Sequence, residues 1–166
     1  MRLRGIKKYS LWIITFLTLL AVGVLFFPSS KEGNATWYLL IEDPRSETLY
    51  YRIAITGGDT FKLTCRNSVS KSLVTGTFSV TDEGLLNPIQ TSFTAYGPGL
   101  PFDFMEEYQI EEGIIIVFHD EEPREDLRLW VTPLTEEMVT LNNSSYPLGS
   151  LTETNLLLTI FVDKEN

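Results

Sequence analysis

From Trp37 onward, apolar residues recur at every second position in short segments, and turn-forming residues separate those segments. A period of two places alternate side chains on opposite faces of an extended chain, so it specifies half-buried strands and excludes a helical bundle. "LYYRIAIT" puts Leu49, Tyr51, Ile53 and Ile55 on one face, and "GGD" follows as a hairpin-type turn. "TFKLTCR" repeats the pattern with Phe61, Leu63 and Cys65 inward, and "LVTGTFSV" with Val74, Gly76, Phe78 and Val80. Further strands are expected in "QTSFTAY", "YQIEE" with "GIIIVFH", "LRLWVT", "MVTLN" and "NLLLTIFV". The turns lie at "TDEG", "DEEPRED" and "NNSS", and a helical turn at "FDFMEEY" or "TPLTEEM". Eight to ten short strands at this spacing imply an all-β domain, an antiparallel β-sandwich or a partly open β-barrel.

The alternation does not reach the first residues. Residues 1–10 carry Arg2, Arg4, Lys7 and Lys8, and "LWIITFLTLLAVGVLFF" follows without a charge. As a helix this run extends about 25 Å at about 1.5 Å per residue, enough to cross a hydrocarbon core with Tyr9, Ser10 and Pro28 at the interfaces. Residues 11–28 are therefore expected to form a transmembrane signal anchor. A cleaved signal peptide is the alternative, although Leu25, Phe26, Phe27 and Pro28 suit cleavage poorly. The basic residues keep the N-terminus in the cytoplasm and put the rest of the chain outside. "PSSKEGNAT" reads as a tether, with residues 29–36 as linker and 37–166 as the extracytoplasmic domain.

Charge narrows the partners. Residues 1–31 hold five of the thirteen basic residues and no acids, leaving eight basic against twenty-two acidic residues in the remainder. A surface of net charge −14 repels nucleic acid, so the bilayer is met through the N-terminal helix alone. Cys65, the single cysteine, precludes an intramolecular disulfide and reads as a buried structural thiol. His119, the single histidine, ends an apolar strand and reads as facing water. The acidic groups "MEEYQIEEG" and "HDEEPRED" lack the ligand-glycine-ligand order of calcium loops, so neither a metal nor a cofactor is expected. "NAT" at 34–36, "NNS" at 142–144 and "NSS" at 143–145 fit the glycosylation sequon. No base and nucleophile stand in a suggestive arrangement, so an enzyme is the weakest of the functional classes.

Two stretches carry a resemblance. "TCRNSVSKSLVTGTFSV" resembles the segment that reads Y-x-H-S-V, four residues, then V-x-E in the bacterial and archaeal family called domain of unknown function 1850. "SFTAYGPGLP" is similar to that family's following G-A-G-L-P, and the resemblance covers about residues 37–162. It implies a small secreted or membrane-anchored protein encoded beside the membrane component of a TAXI-type TRAP transporter. Its partner would then be that membrane subunit or the transporter's substrate-binding protein. The chain departs from the pattern at Asn67, where the family has histidine, and at Gly76, where it has glutamate. If the family's two residues act as a pair, positions 67 and 76 should face a common space.

In "YGPGLP", glycine admits backbone angles closed to other residues and proline fixes its own. The stretch reads either as a stiff corner between sheets or as a preformed rim. The candidate ligand or partner site is accordingly Asn67, Ser68 and Val69 with Tyr96, Gly97, Gly99, Leu100 and Pro101. Two functions follow: a non-catalytic accessory protein that contacts a transporter, or a small-ligand-binding module with this loop at its mouth.

Overall fold

A computed structural model describes residues 37–95 and 107–164. They form eleven strands: β1 Trp37–Asp43, β2 Thr48–Ile55, β3 Thr60–Arg66, β4 Leu73–Val80, β5 Leu86–Phe93, β6 Tyr108–Glu111, β7 Ile114–Phe118, β8 Asp126–Val131, β9 Met138–Leu141, β10 Ser144–Pro147 and β11 Leu156–Lys164. One 3₁₀ turn, Gly149–Leu151, precedes β11. The strands pair antiparallel in two sheets, one ordered β2-β1-β11-β8 and the other β10-β9-β3-β4-β5-β7-β6. The all-β expectation holds, in a sandwich-like arrangement of two sheets. Among the described residues no helix is long and apolar enough to cross a membrane. The span expected over residues 11–28 lies outside the described residues.

The alternation works as the sequence implies wherever the strands are regular. Leu39 and Ile41 of β1, Ile53 and Ile55 of β2, and Leu158 and Ile160 of β11 meet Phe61, Val80, Leu86, Val139 and Leu141 of the larger sheet in one buried cluster. Truncating such a residue, Leu39→Ala for example, costs about 2 to 5 kcal/mol through lost burial and the cavity left behind. The larger sheet extends beyond this cluster and carries a second one, Val74, Phe93, Ile115 and Val117, with Cys65 packed against it.

Where a strand is irregular, the alternation fails. Ile41 pairs with Tyr51 but Glu42 pairs with Leu49, which leaves Tyr50 as an extra residue in β2. This bulge turns Leu49 outward, where it is 48% exposed, and packs Tyr50 against the core instead. A second bulge sits in β5, where Gln90 faces Thr77 but Pro88 faces Phe78, with Ile89 as the extra residue. Pro88 lacks the N–H a regular ladder needs, and a bulge accommodates it. The strand therefore begins at Leu86, ahead of the expected "QTSFTAY".

The count exceeds eight to ten because two strands join the nine segments read from the sequence: β1, an apolar strand inside its sheet, and β10, a short polar edge that carries no apolar signal. The turn read at "NNSS" is confined to Asn142 and Asn143, both with positive φ (49° and 66°), as a two-residue hairpin requires. Ser144 and Ser145 already belong to β10, paired with Leu141 and Thr140. "TPLTEEM" forms a turn rather than a helical one, and β9 starts at its last residue, Met138.

Candidate functional site

Strand β3 ends in a loop that its own polar side chains hold. Asn67 Oδ1 accepts from the backbone N–H of Val69 and of Ser70, both at 3.0 Å. The Asn67 N–H donates to Ser72 O at 2.9 Å, and Lys71 reaches the left-handed region (φ 59°) before the chain turns into β4. Such local bonding is what Asn offers a turn. The Asn67 side chain is thus committed to shaping the loop, while Ser68 and Val69 project into water, Val69 at 66% exposure.

A second loop, residues 132–137, braces the first. The Arg66 N–H donates to Thr135 O at 2.7 Å, and the Arg66 guanidinium meets Glu136 Oε2 at 2.9 Å and Lys71 O at 3.0 Å. The next residue, Glu137, is a buried carboxylate. It accepts from the Thr132 N–H at 3.2 Å and from the Thr135 hydroxyl, and its backbone carbonyl accepts from Leu148 N and Gly149 N. Only glycine fits at 149, because a Cβ there would lie 2.8 Å from Thr132 O. Around this knot Pro133, Met138 and Pro147 line an apolar cavity of about 420 Å³ with Glu137 in its wall. Leu134, in the same loop, is 85% exposed.

Cys65 lies one residue before Arg66 and is half-buried. Burial, and then the nearby Glu137 carboxylate, push its thiol above the ordinary range. Both effects disfavour the thiolate, which is the nucleophilic form. His119 corrects the expectation of a water-facing residue. Its Nε2 lies 2.8 Å from Thr91 Oγ1, its Nδ1 is buried, and its backbone N–H donates to Ile89 O. Among the described residues no group of three or more His, Cys, Asp or Glu side chains is placed to hold a metal ion.

Positions 67 and 76 do not share a space. Gly76 pairs with Leu63, four residues before Asn67, so about 13 Å of strand separates them. Thr91 flanks Gly76 on the other side, and Phe78 covers it: a Cβ at 76 would lie 3.0 Å from Phe78 Cε2. Of the candidate residues, Asn67, Ser68 and Val69 are brought together in one loop. Tyr96, Gly97, Gly99, Leu100 and Pro101 lie outside the described residues. Arg66, Glu136 and Glu137 had no sequence signal as a group, because seventy residues separate the first two.

No family model, no curated protein and no solved structure matches this chain. The resemblance noted above thus rests on the order of short motifs.

Proposed function

We propose that this chain is a membrane-anchored extracytoplasmic accessory protein that docks a protein partner and performs no catalysis. The observation that carries this reading is the braced pair of loops at 67–72 and 132–137. They present Val69 at 66% and Leu134 at 85% exposure on backbones held by internal hydrogen bonds and the Arg66–Glu136 ion pair. Exposed apolar side chains on a preorganised loop suit association, because little ordering entropy remains to be lost on binding. The raised thiol of Cys65 also argues against covalent chemistry at this end of the fold. The motif resemblance supplies the partner's class, a TAXI-type TRAP transporter, met through its membrane subunit or its substrate-binding protein. The apolar run at 11–28 supplies the anchor.

Co-purification of the tagged full-length protein with the transporter subunits from native membranes tests this. The pair should co-purify, and Val69→Asp combined with Leu134→Asp should abolish the association without lowering the unfolding temperature. Association that survives both substitutions would move the docking surface elsewhere. No association with wild type would remove the transporter assignment. A second reading, a small-ligand module, is favoured by the apolar cavity beside Glu137. It predicts ligand-induced thermal stabilisation that Met138→Trp blocks.

A further inference from the structure

A separate groove of about 470 Å³ runs from the outer face of the four-stranded sheet to the turn at 83–85 between β4 and β5. Antiparallel register puts Glu42 of β1, Thr159 of β11 and Arg128 of β8 in one row across that face, with Phe161 and Asp126 in the next. The lining includes four carboxylates, Glu42, Glu83, Glu125 and Asp126, against one guanidinium, Arg128. Arg128 is already paired with Asp126, its Nη2 at 3.0 Å and its Nε at 3.1 Å from Oδ2. Among the described residues, the other three carboxylates have no cation in the lining to offset them.

In so acidic a chain, carboxylates on a surface are ordinary. Thr159 sets this groove apart. It is 7% exposed, it lines the groove, and its hydroxyl has no hydrogen-bond partner among the described residues. Buried hydroxyls normally have partners, because leaving one unbonded costs the hydration it gave up. Its neighbours in register, Glu42 and Arg128, line the same groove.

We infer that the groove binds a small organic cation, with an ammonium or guanidinium group among the carboxylates. Thr159 turns about its Cα–Cβ bond to bring its enclosed hydroxyl to one of the N–H groups, and the aliphatic stem lies along Phe161 and Leu85. A metal ion fits less well, since among the described residues no three acidic groups converge, whereas a cation with several N–H donors spans carboxylates spread over two rows. The cavity volume lies within the range of small-molecule sites. This inference is independent of the docking loops.

Agmatine, a four-carbon chain with a guanidinium at one end and an amine at the other, is the probe. Isothermal titration calorimetry on the full-length protein should show saturable binding that weakens with salt, and none for the neutral 1,4-butanediol. Thr159→Val keeps the side-chain shape and removes the hydroxyl, so it should weaken binding roughly tenfold, the equivalent of one hydrogen bond to a charged group. The same substitution should leave the ligand-free unfolding temperature unchanged or higher. Glu42→Gln should weaken binding as well and provides an independent test if Thr159→Val folds poorly. Glu153→Gln, an exposed acid outside the groove, should change nothing. Absence of saturable binding overturns the inference, as does equal weakening by all three substitutions, which would mark diffuse charge attraction. Stoichiometric displacement of agmatine by calcium would make this a metal site and overturn it too.

Discussion

Arg66 and Glu136, seventy residues apart in the chain, meet at 2.9 Å and tie the loop after β3 to the loop between β8 and β9. The side chains are 37% and 59% exposed, so water and salt screen the pair. A double-mutant cycle with Arg66→Ala and Glu136→Ala should give a coupling of at most about 1 kcal/mol, smaller at high salt. Arg66→Ala alone should cost more than Glu136→Ala alone, because it also removes the bond to Lys71 O. Urea denaturation of the four proteins measures both quantities.

Glu137 is the stronger element of that knot because it is buried. Glu137→Ala would leave the Thr132 N–H without its acceptor, at a cost of about 1 to 3 kcal/mol. Glu137→Gln retains an acceptor oxygen and should cost less. Since the Glu137 charge helps hold the Cys65 thiol protonated, the same glutamine should lower the thiol pKa, read from the pH dependence of reaction with a disulfide reagent.

Cys65 should make stability depend on pH at the alkaline side. Its folded pKa is raised, so between the unfolded thiol value and its own the native state holds a proton that the unfolded chain has lost. This contribution is full below the unfolded value and is lost as pH rises through the folded one. In Cys65→Ala that part of the alkaline decline should disappear, a difference that denaturation midpoints across the window will show.

Gly76 and Asn67 should behave independently. Gly76→Ala brings a methyl group to 3.0 Å from a Phe78 ring that already stacks on Phe61, so it should destabilise by about 1 to 3 kcal/mol, and Phe78→Leu should relieve part of this. Gly76→Glu should cost more, by placing a carboxylate on the inner face. Adding Asn67→His should change stability additively within about 0.5 kcal/mol, since about 13 Å of strand separates the two. A larger coupling in thermal melts would contradict this register.

The sequence by itself determined the fold class and most of the inner faces. Side-chain direction alternates locally, so Phe61, Leu63, Val74 and Val80 could be assigned from spacing alone. It also located the loop at Asn67, whose turn bonds span only a few residues. Only the tertiary structure decided what depends on register between distant strands. An extra residue at Tyr50 reverses Leu49 without any compositional sign, and His119 finds Thr91 only because β7 lies beside β5. The same holds for both candidate sites. Arg66 meets Glu136, and Thr159 lines up between Glu42 and Arg128, through pairings whose partners lie far apart in the chain, and local alternation carries no information about which strands become neighbours.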